Sequence, residues 1–232
     1  MNYFTGIASL SEISTNACLR CDVKQFDSNA KLIQSIRNKP YKCLGDFFPT
    51  PLVKGAQPNY LVGAEEGSVP VISTICIQKQ HIVENEYKYI SSEDYSALSD
   101  EKKLKQGDVL LTLDGGTSIG KPALYNKTIP CTVDSHVAII RPCRIKPQHL
   151  VILLASPICQ LQFRLYESGA SGQTSVTEDD LRRFIVPVAL LNELEILADN
   201  ITRELDRIKN ERIKLDEDEI NAWNVFSKYK IE

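Results

Sequence analysis

Between Val188 and Asp216 the chain runs without a glycine or a proline. Across that stretch Leu194, Ile201, Ile208 and Leu215 recur every seven residues. Leu190 and Leu197 fill the companion position early; Glu204 and Glu211 replace them later, with Leu205 beside the stripe. This spacing predicts one long helix with a heptad seam, about 40 Å long at 1.5 Å per residue. A helix of that length cannot bury a stripe against a compact domain over its whole run. Leu194, Leu197, Ile201, Leu205, Ile208 and Leu215 are therefore expected to meet a partner helix. The acidic run Asp216–Glu219 is expected to break the pattern, and Trp223, Phe226 and Tyr229 to face one side of a short final helix.

The remainder predicts an α+β chain: a β-rich domain with short helices over residues 1–187, then the long helical part over 188–232. Residues 1–40 form a lead-in with a helix over Ser28–Arg37, capped by Ser28 or Asn29 and stopped by Pro40. Short strands bounded by turn residues are expected at Val69–Ile77, Tyr87–Ile90, Asp108–Leu113, Ala123–Tyr125, Thr132–Arg141 and Phe184–Pro187. His149–Tyr166 has helical spacing with Pro157 as a kink. Thr177 is placed to cap another short helix.

Composition removes several function classes. The chain has 232 residues, 43% of them hydrophobic, and a net charge of −3, which excludes a disordered chain. It also excludes attraction to nucleic acid through bulk positive charge. The charge is uneven, with 20 basic and 19 acidic residues through Pro187 and 7 and 11 after it. The acidity thus sits on the helical part. No apolar run reaches the ~20 residues of a membrane span. No secretory leader is recognised at the start, and the seven cysteines are odd in number. A cytoplasmic chain with reduced thiols is the expectation. Cys18-x-x-Cys21 lacks the second pair of a structural zinc site, so no metal is expected.

Catalytic motifs fail on spacing. Leu113–Lys121 is glycine-rich and follows a strand, but it matches neither phosphate-loop pattern. Gly169–Ser175 lacks the spacing of a nucleophile elbow, and all three histidines precede it. Asp134-Ser135-His136 reads as part of a strand. Ile77-Gln78-Lys79-Gln80-His81 places polar side chains after a strand, of the types that pair with base edges.

These segments together resemble one family. Leu104–Lys121 (LKQGDVLLTLDGGTSIGK) resembles the central motif of target recognition domains in type I restriction–modification specificity subunits. Ser168–Gln173 followed by Leu181–Pro187 resembles the motif that closes such a domain and leads into its long helix. Val69–Thr74 resembles the stretch before a variable DNA-facing loop, and Arg20-x-Asp22 with Phe26 the lead-in.

The resemblance implies a non-catalytic subunit that reads double-stranded DNA. A partner methyltransferase (M) subunit would methylate adenine with S-adenosylmethionine, no cofactor belonging to this chain, and a restriction (R) subunit would cleave. Such subunits hold two recognition domains and two antiparallel helices; this chain carries one of each. It is expected to act as a half subunit, its helix pairing with a second copy or with a methyltransferase helix, each copy reading half of a split site. The family's loops vary with target and transfer no reader positions, so the candidate DNA-facing residues rest on side-chain type: Ser73, Thr74, Gln78, Lys79, Gln80, His81, Thr117, Ser118, Lys121, Arg164, Ser171, Gln173 and Thr174, with Lys54 and Arg182 as further phosphate contacts. The alternative is a protein-interaction adaptor that uses its helix and reads no DNA.

Overall fold

The computed structural model describes residues 27–78, 80–115, 118–170, 173–224 and 226. The Cys18–Cys21 pair, the Arg20–Phe26 lead-in and Tyr229 lie outside them. Helix α1 (Ser28–Arg37) is capped by Asp27, whose carboxylate accepts from the Asn29 and Ala30 amides at 2.8 and 2.9 Å. The cap thus sits one residue before the expected Ser28. The chain then forms β1 (Tyr41–Cys43), β2 (Val53–Lys54), β3 (Val69–Ile72), β4 (Ile77–Gln78), β5 (His81–Ile82), β6 (Lys88–Ile90) and helix α2 (Ser92–Ala97). Strands β7 (Val109–Thr112), β8 (Pro122–Leu124), β9 (Thr132–Val133) and β10 (Val137–Ile140) follow. Helices α3 (Pro147–Ala155) and α4 (Pro157–Tyr166) come next. The hairpin β11 (Ser168–Ala170)–β12 (Gln173–Ser175), helix α5 (Glu178–Arg182), strand β13 (Ile185–Pro187) and helix α6 (Val188–Trp223) complete it.

Four strands form a sheet in the order β2-β10-β7-β8, and three form a second in the order β6-β3-β9. Pairing is antiparallel except for β3 with β9. The second sheet is reached by a break in each of two expected strands. Val69–Ile77 splits at a turn where the Cys76 amide donates to the Ser73 carbonyl at 3.1 Å. Thr132–Arg141 splits at Asp134–His136, where the Val137 amide returns to the Asp134 carbonyl at 3.2 Å. Apolar residues flank both breaks, so the sequence reads each as a single strand. The Pro157 kink is a full break: Ser156 is extended and Pro157 occupies the first turn of α4, where its missing N–H costs nothing.

One face of the large sheet is covered by α3, whose residues His149–Leu154 are all buried. A helix apolar on every side needs neighbours on every side. It finds them in α4, β7, β8 and α6. The other face packs on Ile72, Ile77, Tyr125, Cys131 and Val133.

Helix α6 runs unbroken to Trp223. This corrects the expected interruption at Asp216–Glu219: acidic residues are tolerated in a helix, and nothing there removes a hydrogen bond. The seam is also divided. Leu194 and Ala198 are 6% and 0% exposed and belong to the core of the β-rich part, with Leu190, Leu191 and Leu205 packed against it. Leu197, Ile201 and Leu215 stay exposed at 37%, 43% and 65%. Polar contacts from the start of α3 reinforce the docking: Lys146 with Glu195, Gln148 with Thr202 at 3.3 Å and His149 with Asp199 at 3.1 Å. The change of element at 187/188 is therefore not a gap in packing.

Candidate functional site

Both glycine-bearing segments come together at one end of the large sheet. Strand β7 ends at Thr112, and the chain turns at Asp114-Gly115 with φ of +100° at Gly115. The Gly115 amide donates to the Thr174 carbonyl at 3.1 Å, and the Val176 amide to the Leu113 carbonyl at 3.0 Å. Asp114 also bridges Ser175. The β11–β12 hairpin is thus laced to the loop after β7, although about 60 residues separate them in sequence.

Thr112 anchors the loop from below. Its hydroxyl donates to the Ser118 carbonyl and accepts from the Lys121 amide at 2.9 Å. Gly120 has φ +79°, and a Cβ there would lie 2.7 Å from the Phe163 ring. Gln160 holds its carbonyl at 2.7 Å. The motif glycine is needed both for its backbone angle and for the close approach of α4.

Two further loops reach the same sheet end. Lys54 ends β2 and places Nζ 3.1 Å from Asp114 Oδ2; His136, just before β10, places Nδ1 3.9 Å from the same oxygen. Beside them the Ser135 hydroxyl donates to Gln57 Oε1 at 2.9 Å. Asp134, 5% exposed, accepts from the His136 amide at 3.0 Å. Burial pushes its carboxyl above the usual carboxylate range, and the His136 amide opposes that rise. Asp134–His136 form a turn rather than the strand that the sequence predicts, and neither Gln57 nor Asp114 is among the residues to which the sequence points. The one available signal was the polar triplet itself.

The β4–β5 hairpin packs beside β8. Gln78 and His81 stand opposite each other across it, and Gln80 at its corner has φ +68°. The Gln78 side-chain amide donates to the Ile75 carbonyl at 3.0 Å, so part of its hydrogen-bonding capacity is already used within its own turn. Lys121 is half-buried just before β8, and Thr74 is half-buried in the turn before β4. Lys79, Thr117 and Ser171 lie outside the described residues. Gln173 pairs through its backbone with Ala170.

Three expected contacts are placed elsewhere. Ser73 is 3% exposed and its hydroxyl lies 3.5 Å from Cys76 Sγ, inside the core. Arg182 donates to the Phe48 and Thr50 carbonyls at 3.0 and 2.7 Å and to Glu178 at 2.8 Å, which makes it a clamp on the loop before β2. Arg164 is exposed on α4, beside a groove lined by Leu32, Ile36, Pro157 and Ile158. Asp108 of the central motif is likewise structural: Arg141 holds it through two bonds at 3.0 and 3.2 Å.

Among the described residues no group of three or more His, Cys, Asp or Glu is placed to hold a metal, and no helix is long and apolar enough to cross a membrane. The site offers amides, hydroxyls and a few cations on a firm backbone. That chemistry suits polar recognition.

Residues 37–222 match the family described as the type I restriction modification DNA specificity domain. Comparison with curated proteins finds no match. Among solved structures, the S subunit of a type I restriction-modification system from M. genitalium aligns with a TM-score of 0.54 at 14% identity, covering 82% of this chain and 46% of that one. A chain from a study of complex assembly and conformational transition in the type I R-M system aligns at 0.51 and 15%, covering 90% and 52%. The type IIG restriction endonuclease BpuSI aligns at 0.53 and 10%, covering 79% and 28%. These likenesses are of fold. The chain spans about half the length of the first two.

Proposed function

Since the chain belongs to the family of type I restriction modification DNA specificity domains, it is a DNA-recognition chain rather than a catalytic one, and we propose that it reads one part of a split duplex target for a partner methyltransferase. The observation that carries the reading is the meeting of the two motif segments, Leu113–Gly115 with Thr174–Val176, at one end of the large sheet. Loops fixed on a rigid sheet supply the few placed contacts on which sequence readout depends. The β4–β5 hairpin beside β8 adds a second projecting element.

In this reading Lys54, Lys79 and Lys121 meet phosphates, while Thr74, Gln78, Gln80, His81, Thr117, Ser118, Ser171, Gln173 and Thr174 supply the polar surface. Phosphate contacts position the domain and base-edge contacts specify the target. The partner supplies S-adenosylmethionine chemistry on adenine, and a restriction subunit the cleavage. The exposed half of the α6 seam, Leu197, Ile201 and Leu215, receives a second long helix from another copy or from the methyltransferase.

The test is selection from randomised duplex DNA by the chain assembled with its methyltransferase. Enrichment of one bipartite sequence is expected; failure to enrich any sequence overturns the reading. A second reading, a protein adaptor working through α6, is favoured by the exposed Ile220, Trp223 and Phe226 beyond the docked part. Charge reversal at Lys79 and Lys121 separates the two. It abolishes DNA retention in the first reading and changes nothing in the second.

A further inference from the structure

We propose that Gln57, braced by Ser135, reads an adenine edge in the major groove, and that Lys54, steadied with His136 on Asp114, takes the adjacent phosphate. The proposal rests on the DNA-reading function above and assigns it to side chains outside the motif loops.

Gln57 stands on a backbone with little freedom. Two residues before it, Gly55 lies so close to the next loop that a Cβ would sit 1.9 Å from the Val133 carbonyl oxygen and 2.3 Å from that of Asp134. Ala56 bridges Asp134 directly. The Asp134 amide is in turn tied to the Ile72 carbonyl at 3.0 Å, and its carboxylate to the His136 amide. Both loops are therefore locked by backbone contacts before any surface side chain is counted. The exposed Gln57–Ser135 bond adds little to that hold.

What the bond does is orient an amide. The Ser135 hydroxyl donates to Gln57 Oε1 at 2.9 Å. This leaves a second lone pair on Oε1, and Nε2 has no protein partner among the described residues. One acceptor and one donor side by side match the N6 amino group and N7 of adenine. A free surface glutamine must lose rotamer freedom to present that pair, whereas one already held by a neighbour loses less.

The flanking cation is held in a similar way. Lys54 Nζ gives one of its three N–H donors to Asp114 Oδ2 at 3.1 Å. Two remain for a phosphate oxygen. His136 stands beside the same carboxylate oxygen at 3.9 Å.

The test compares the full chain, assembled with its methyltransferase, with Gln57→Ala, Ser135→Ala and Lys54→Ala variants in the same assembly, in selection from randomised duplex DNA, each variant first shown to melt as the wild type does. Gln57→Ala is expected to lose discrimination at one adenine position by roughly 10- to 100-fold, the size of one bidentate contact, with the other positions kept. Ser135→Ala is expected to lose part of the preference at that same position. Lys54→Ala is expected to weaken all sequences alike. If the wild type enriches a motif and Gln57→Ala enriches it with equal discrimination, the inference fails while DNA reading stands. Relaxation at a guanine, cytosine or thymine position overturns the adenine assignment. Uniform weakening by Gln57→Ala overturns the base-reading role. If the wild type enriches nothing, the underlying function fails first.

Discussion

At the residue scale, Gly120 and Asp134 carry opposite kinds of cost. Any side chain at Gly120 meets two penalties at once. The left-handed backbone costs an L-residue about 1–2 kcal/mol, and crowding of the Phe163 ring adds about 1–3 kcal/mol. Gly120→Ala is therefore expected to lose roughly 2–5 kcal/mol in denaturant unfolding, and to detach the loop after β7 from α4. Asp134 shows the price of a buried carboxylate. Its folded value is raised by burial, so between the ordinary value near pH 4 and that raised value the folded protein binds more protons than the unfolded chain. Stability falls as pH rises through this window and is level above it. Asp134→Asn retains an oxygen for the His136 amide and removes the titration. Relative to the wild type, the variant is expected to gain stability from about pH 4 upward to a plateau, as read from unfolding at a series of pH values. Cys131 and Cys159 follow the same logic, pushed up to about 12 by burial, which keeps both thiols from acting as nucleophiles.

At the element scale, α6 separates what a sequence pattern reveals from what it leaves open. The heptad repeat made the helix and its need for neighbours legible. It did not say which stripe each neighbour covers, because Leu194 and Ile201 obey the same spacing. Ala198 decides the matter: a small side chain lets α3 approach on that face, and Leu194 is buried with it. The two halves of the seam are expected to respond differently. Leu194→Ala should cost about 2–4 kcal/mol of folding stability by leaving a cavity. Ile201→Asp should leave the monomer within about 0.5 kcal/mol of the wild type but abolish assembly through the helix in sedimentation. An unchanged oligomer would refute the outward stripe. The loops show a related limit. The glycine motifs were readable because their residue types demand special backbone, whereas Gln57–Ser135 and Lys54–Asp114 join residues 78 and 60 positions apart. The burial of Ser73 is illegible for a local reason: in sequence, a hydroxyl at a strand end looks the same whether it faces water or Cys76.

At the scale of the whole molecule, the net charge of −3 conceals a neutral body carrying an acidic helical part. With Lys54, Lys79 and Lys121 as phosphate contacts, the affinity of the chain for duplex DNA is expected to fall with salt at a slope of about −3 in log–log terms, roughly one unit for each contact. Measured retention across a salt series checks this. A slope near zero would remove phosphate contact from the reading. Strand β13 ends at Pro187 and α6 starts at Val188, so strand and helix are joined without a linker, and the first turns of α6 share the domain core. Domain and helix therefore turn as one lever. The helix is about 54 Å long, so a roll of about 10° at the DNA-facing end carries its tip through about 9 Å. A partner gripping the region near Trp223 holds the long arm of that lever, and small forces there suffice to set the heading of the recognition loops.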